Sequence, residues 1–403
     1  MFSALKLQPE SYRKKKDLYE YGRTLGVGSF GTVRVATVKK TGEQVAVKII
    51  LKKSLAGNEQ MVLDEIDMLR QLSHPHIVKF VDWFESKDKF YIVTQLATGG
   101  ELFDRIIERV SFSERDAAAV VTQILLALDY LHTNDIVHRD LKPENVLYLN
   151  PEPDAPVVIA DFGISRKLSG DDQVLTSCAG SFGYAAPEIY TGEGHGKPCD
   201  IWSMGVITYT LLSGCAPFRS ETVHSFVEEV RYNDGVIFYD RYWSDISLAA
   251  KQFILRMLDV VQSRRATTRD LLRDPWIIEN TSPLKPDAVQ GVNLISTIRE
   301  GFDGRSKLRK AVQVVMMKNR LQRLRDQMDD ANDEDFQYYS SGSVSTVDLA
   351  GIDAGIAGMD LDQDSKRSSL RVSLFQQLVH AASENKEELQ KKLAEQDGLE
   401  EDN

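Results

Sequence analysis

His138-Arg139-Asp140-Leu141-Lys142-Pro143-Glu144-Asn145, followed after fifteen residues by Asp161-Phe162-Gly163, is the stretch on which the fold turns. Two aspartates, an amide and a lysine stand here in a fixed order, bordered by apolar, strand-like residues. Phosphoryl transfer from a nucleotide needs that set of residue types. One carboxylate must orient a hydroxyl nucleophile, a second carboxylate with a carbonyl oxygen must hold Mg²⁺, and a cation must offset charge on the moving phosphate. A polar loop joining two strands would not need these residues in this order.

Toward the amino terminus, Tyr19 to Lys53 alternates as β-strands do, with a turn at Lys40-Thr41-Gly42-Glu43. Within it lies Leu25-Gly26-Val27-Gly28-Ser29-Phe30-Gly31-Thr32-Val33. Glycines at 26, 28 and 31 let backbone amides close over phosphates where a Cβ would obstruct them. The motif lies between two strands instead of entering a helix, which favours an ATP-phosphate loop over a dinucleotide fingerprint. Lys48, in Val45-Ala46-Val47-Lys48, is a lysine amid apolar alternation and is expected to reach the α- and β-phosphates. Its expected counter-ion is Glu65, in a helix over 59–72 whose buried positions are assigned to Met61, Leu63, Ile66, Met68 and Leu69.

A chain of 403 residues has room for about two or three compact units. Its 42% hydrophobic and 27% charged residues are ordinary for a globular protein, and no apolar run is long enough to span a membrane. The amino terminus lacks the apolar core of a signal peptide. Cys178, Cys199 and Cys215 form neither a metal spacing nor a disulfide framework, so a reducing, cytoplasmic setting is expected, with the nucleus as the alternative. A net charge of −11 argues against wholesale nucleic-acid binding. The charge is uneven: Arg305 to Arg325 holds eight Lys or Arg and no acidic residue. Leu308, Val312, Val315 and Leu321 are spaced along that basic stretch as anchors of an amphipathic helix. Such a helix suits an acidic, Met-lined groove of the calmodulin kind, a membrane surface, or its own globular domain. Beyond 329 the chain turns acidic and Ser/Gly-rich, a composition that predicts disorder for most of it. Asp360, Asp362 and Asp364 imitate the start of an EF-hand, but Ser365 and Arg371 stand where Gly and Glu are required.

The catalytic block resembles the catalytic and metal-binding loops of eukaryotic protein kinases. With Gly99-Gly100-Glu101-Leu102-Phe103-Asp104-Arg105-Ile106, the Ser177 loop and Phe302…Arg305-Ser306-Lys307-Leu308, residues 18–325 are similar to calcium/calmodulin-dependent protein kinases, closest to type I and its fungal branch. The resemblance implies an α+β, bilobal kinase fold with a β-rich small lobe and an α-rich large lobe. It divides the chain into an arm (1–17), a small lobe (18–94), a hinge (95–98), a large lobe (99–276), a helical regulatory segment (283–328) and a largely disordered tail (329–403).

The resemblance also assigns roles. Asp140 orients the hydroxyl or acts as general base, Lys142 stabilises the γ-phosphate, and Asn145 with Asp161 holds Mg²⁺. Gln95 and Ala97 read the adenine edge of ATP while Leu25, Val33, Ala46 and Leu147 pack its faces, and Thr94 guards the back pocket. Ser177, with Thr176 beside it, falls on the activating phosphosite of an upstream kinase, and Ser181 braces Asp140. Glu188–Arg265 and Asp200 are scaffold residues. Glu101 and Glu144 suit a substrate arginine upstream of the acceptor, and Glu101 is also assigned to the nucleotide site. Lys142 in Leu141-Lys142-Pro143-Glu144 favours Ser/Thr over Tyr. Residues 283–328 would block the cleft until Ca²⁺-loaded calmodulin removes them, in a monomeric enzyme. Leu308 departs from the family, which commonly carries Trp there, and so gives up aromatic burial. A complete catalytic set sets aside a non-catalytic nucleotide-binding scaffold, while Leu308 keeps a kinase controlled only by phosphorylation as the nearer alternative.

Overall fold

The computed structural model describes residues 15–27, 31–170, 173–220, 222–233, 235–283 and 291–301. Gly28, the anchors Leu308, Val312, Val315 and Leu321, and the tail 329–403 lie outside the described residues. The chain divides into two compact units, Met1–Gln327 and Met328–Asn403, and every described residue belongs to the first.

Period-two alternation builds a five-stranded antiparallel sheet from β1 (Tyr19–Val27), β2 (Gly31–Val38), β3 (Gln44–Leu51), β4 (Phe80–Glu85) and β5 (Lys89–Gln95), in the order β1-β2-β3-β5-β4. Val45, Val47 and Ile49 of β3 join Tyr19, Ala36, Phe84, Tyr91 and Val93 in an outer apolar layer. Ala46, Lys48 and Ile50 therefore point to the opposite face, because successive side chains in a strand alternate. Register sets Lys48 opposite Val33 on β2 and Ile92 on β5.

Between β3 and β4 runs helix α1 (Glu59–Gln71), which buries Val62, Glu65, Ile66, Met68 and Leu69. This corrects the sequence expectation: Met61 and Leu63 are only half-buried. The inward stripe, Val62-Glu65-Ile66-Leu69, follows helical spacing but contains a carboxylate, which a count of apolar residues alone skips. Asp64 is exposed.

In the large lobe, α2 (Leu102–Ile107) precedes α3 (Glu114–Thr133). Ser113 caps α3 in a capping box with Asp116, satisfying amides that the first helical turn leaves unpaired. Four short strands follow: β6 (Ile136–Val137), β7 (Val146–Tyr148), β8 (Val157–Ile159) and β9 (Arg166–Lys167). β6 pairs with β9 and β7 with β8. That nesting brings the 138–145 loop, between β6 and β7, beside the 160–165 loop, between β8 and β9.

Helices α4 (Pro187–Thr191) and α5 (Pro198–Ser213) come next, and every residue from Cys199 to Ser213 is buried. A helix apolar on all sides belongs inside a core. α6 (Val223–Tyr232) and α7 (Asp240–Trp243) meet it through Phe226 on Trp202 and Trp243 on Tyr209, α8 (Leu248–Met257) packs along it, and α9 (Thr268–Leu272) and α10 (Pro275–Thr281) pack on α3. Trp202, Trp243 and Trp276 are wholly buried, and truncating such a ring to Ala costs about 3–5 kcal/mol. α10 closes this lobe, with Trp276 and Ile277 as its buried residues.

The residue pattern predicts a helix over 291–299. Residues 291–294 are instead non-helical, and helix covers 295–301. The cause is Asn293: its Oδ1 accepts from Ile295 N (3.1 Å) and from Phe112 N (3.0 Å), so its side chain starts the helix and ties it to the large lobe. Arg299 donates to Ile107 O and Arg109 O, both at 2.9 Å, and Ile298 is fully buried.

Candidate active site

The 138–145 loop is strapped from below. Asp200 on α5 is wholly buried and accepts from His138 N (2.9 Å) and Arg139 N (2.8 Å), with His132 Nε2 at 2.9 Å. Burial alone would push the Asp200 carboxyl up. The donors from His132 and the loop outweigh it and hold the carboxyl below its usual range. So anchored, the loop keeps Arg139 at φ +66°, a left-handed conformation that side chains other than glycine seldom adopt. Asp161 is likewise left-handed, at φ +59°.

The polar groups of the loop converge on Asp140. Lys142 Nζ donates to Asp140 Oδ2 at 2.6 Å and to Ser181 Oγ at 2.8 Å, and Ser181 Oγ donates to Asp140 Oδ1 at 2.7 Å. Asn145 Nδ2 donates to the Asp140 carbonyl at 2.8 Å. Asp140 is thus fixed at both oxygens.

From the sheet side, Lys48 Nζ lies 2.7 Å from Glu65 Oε1 and 2.9 Å from Asp161 Oδ1. Burial disfavours the ammonium, but Asp161 and Glu65 together hold Lys48 above its usual range. Lys48 in turn pulls Asp161 down to about 2, against burial. Glu65 is shifted up, since its burial outweighs the pull of Lys48. The lysine and Asp161 are the firmly charged pair of the site.

These groups line one cavity of about 840 Å³ between the sheet and the helical lobe. Leu25, Gly26, Gly31, Val33, Ala46, Lys48, Glu65, Gln95, Ala97, Asp140, Lys142, Asn145, Leu147 and Asp161 all lie on its wall, as do Thr94 and Glu144. At Gly31 an added Cβ would sit 1.8 Å from Ile49 O, so the close approach of β2 to β3 requires glycine there. The structure does not bring Glu101 to the cavity wall. Glu101 is exposed, starts α2 in extended conformation and pairs by backbone with Leu147. Leu69, Val78, Ile92, Ala160 and Phe162 also line the cavity, although the sequence assigns them no part in nucleotide binding. For Ile92 the signal was available: its alternation on β5 puts it on the face of Lys48.

A divalent ion can be tested against the donors. Among the described residues no group of three or more His, Cys, Asp or Glu gathers as a cage. Asn145 has its amide nitrogen engaged by Asp140, which leaves a carbonyl oxygen, and the ionised Asp161 supplies a carboxylate. One or two oxygen donors beside phosphate oxygens are the setting Mg²⁺ favours. The residues fit.

In the segment beyond Asp161, Arg139 reaches across to Ser177: its Nη1 donates to Ser177 Oγ at 2.8 Å, and its Nε to Ile164 O at 2.8 Å. Burial and the neighbouring Arg166 both disfavour this guanidinium's charge. Ser177 and Thr176 are exposed. In the scaffold, Arg265 donates to both Glu188 oxygens, at 2.7 and 3.1 Å, with both residues buried. His76 holds the backbone at Val157 O (2.9 Å) and His74 stacks on Tyr130, so both histidines are structural.

The protein kinase domain family model matches residues 19–277. A calcium/calmodulin-dependent protein kinase, cmkA, of Emericella nidulans is 53% identical over 333 residues, covering 83% of this chain and 78% of that protein. A calcium/calmodulin-dependent protein kinase of Metarhizium anisopliae is 50% identical over 335 residues, 83% of this chain and 85% of that one. A type I enzyme of that name from Schizosaccharomyces pombe is 41% identical over 310 residues, 76% and 90% of the two chains.

Proposed function

The chain belongs to the protein kinase family, among the calcium/calmodulin-dependent serine/threonine kinases, and from that premise we propose that it moves the γ-phosphate of Mg-ATP to Ser or Thr of protein substrates under calmodulin control. One observation carries the chemical part. Lys48, Glu65 and Asp161 meet on the same cavity as Asp140, Lys142 and Asn145. Leu25, Val33, Ala46 and Leu147 offer apolar faces to adenine, with Gln95 and Ala97 at its edge.

Lys48 binds the α- and β-phosphates. Asp140, held by Ser181 and Lys142, orients the acceptor hydroxyl and takes its proton. The hydroxyl oxygen forms a bond to the γ-phosphorus, the bond to the β,γ-bridging oxygen breaks, and ADP departs. Lys142 offsets charge on the transferred group, and Asn145 and Asp161 would hold Mg²⁺. When bound, such an ion would offset negative charge on the phosphates. Glu144, on the cavity wall, and Glu101, on the adjoining α2, would receive a basic residue upstream of the acceptor.

Two controls complete the reading. Phosphorylation of Ser177, or Thr176 beside it, by an upstream kinase would give Arg139 an anion and order the loop. The existing Arg139–Ser177 hydrogen bond favours Ser177. Residues 283–328, whose described part 291–301 is seated on the large lobe, act as the autoinhibitory and calmodulin-binding segment, with Leu308, Val312, Val315 and Leu321 as anchors. The described cysteines are free, in keeping with a cytoplasmic enzyme or, alternatively, a nuclear one. It works as a monomer. The test of the chemistry is Asp140→Asn: kcat for a serine peptide should fall by about 10²–10⁴ with ATP affinity kept. Undiminished kcat would overturn the assignment.

A further inference from the structure

Leu175 and His195 join the activation segment to the loop before α5 by exchanging both backbone hydrogen bonds, each 2.9 Å. This antiparallel bridge lies two residues ahead of Ser177, whose hydroxyl accepts from Arg139. Beside the bridge, Gly194 is left-handed at φ +83°, and a Cβ there would lie 3.2 Å from Val174 Cβ. Gln262 Nε2 donates to Gly194 O at 3.0 Å and fixes the strip from its other side. The two segments are in close register, and His195 is where they meet.

The His195 side chain is 1% exposed, and its Nε2 has no hydrogen-bond partner among the described residues. The charged groups facing it are Arg139 from the catalytic loop, Glu188 from α4 and Asp200 from α5. Both carboxylates are already occupied. Glu188 is bound through both oxygens by Arg265, and Asp200 receives His132 and the amides of His138 and Arg139. A ring protonated on both nitrogens would therefore be a second buried cation beside Arg139, with no acceptor for Nε2–H among the described residues, an arrangement proteins avoid. Burial first, and Arg139 second, hold the imidazole below its ordinary range.

We propose that His195 is a positioning residue for the activation segment: neutral, it lets the Leu175–His195 bridge close; protonated, it opens the bridge and frees the Ser177 segment from Arg139. The sign follows from linkage. A folded-state value below the unfolded one means the contribution is complete above about 6.5. It is lost as pH falls through the lowered folded value. Phosphate on Ser177 would offset the charge of Arg139, so the phosphorylated chain should keep the bridge to lower pH. That last step rests on the activation-segment reading above, whereas the bridge itself does not.

The experiment is hydrogen exchange of the full-length chain at pH 7.5, 6.5 and 5.5, corrected for intrinsic rates and read in peptides over 173–178 and 193–197. Protection in the wild type should fall by about threefold or more across this range. In His195→Gln, which carries no titrating ring, it should change by less than about twofold. A residue of merely structural importance would lower protection equally at every pH. The same pH response in both proteins, or none in the wild type, overturns the proposal. Should the variant fail to fold, the His195 imidazole is titrated by NMR in the wild type. A folded value at or above the ordinary one overturns the proposal, and a lower value with matching loss of Leu175 protection supports it. None of these readouts uses catalysis, so they stand or fall apart from the kinase reading.

Discussion

Replacing Glu65 by Gln isolates the ion pair that ties the sheet to the phosphate site. Glu65 is 5% exposed, and its Oε1 lies 2.7 Å from Lys48 Nζ, which also contacts Asp161 at 2.9 Å. Breaking one side of a buried pair costs about 3–5 kcal/mol when the remaining charge is stranded. Lys48 is not stranded here. Its side chain is 27% exposed and Asp161 still neutralises it, so the loss should be nearer 2–3 kcal/mol. The loss should appear in catalysis, because a lysine drawn wholly to Asp161 no longer points at the phosphates. At 1.36 kcal/mol per decade this is about a 30- to 150-fold fall in kcat/KM for ATP. Steady-state phosphorylation of a serine peptide, with ATP and peptide varied separately, measures it. The KM for peptide should change less than about twofold, since Glu65 does not face the acceptor. An unchanged kcat/KM for ATP would refute the reasoning and mean that Asp161 alone sets Lys48.

Two further outcomes concern the scaffold. Arg265→Met leaves Glu188 buried without its partner and should destabilise the chain by about 3–5 kcal/mol in urea unfolding, whereas pairing it with Glu188→Leu should recover much of that loss. Gly214 is left-handed at φ +72°, with an added Cβ only 2.2 Å from Ile298 O. Gly214→Ala should therefore unseat residues 291–301, seen as faster proteolysis there with the main unfolding midpoint lowered by only a few degrees.

Much of this architecture can be read in the sequence because its chemistry fixes its residue types. Lys48 is visible as a charge amid alternating apolar residues, and Glu65 as a carboxylate in the helical stretch that follows. Ser113 signals the start of α3 because a hydroxyl there satisfies orphan amides. The inward face of α1 is not legible from apolar spacing alone, because its buried stripe includes the carboxylate of Glu65. The start of the post-kinase helix is not legible locally, because the side chain of Asn293 that sets it is also held by a tertiary partner, Phe112, far away in sequence. Glu101 matches the nucleotide site by its motif, yet it pairs by backbone with Leu147, is exposed and does not line the cavity. Nothing in the local sequence marks His195, whose setting depends on Arg139, Glu188 and Asp200 arriving from three separate elements.

The most direct test of a calmodulin-controlled kinase is ATP-dependent phosphorylation of an arginine-containing serine peptide by the full-length chain, with Ca²⁺/calmodulin and with chelator. The account predicts activity at least about tenfold higher with Ca²⁺/calmodulin. Equal activity in both conditions would contradict calmodulin control, and no activity in either, even after phosphorylation of the Thr176–Ser177 loop, would contradict the enzyme itself.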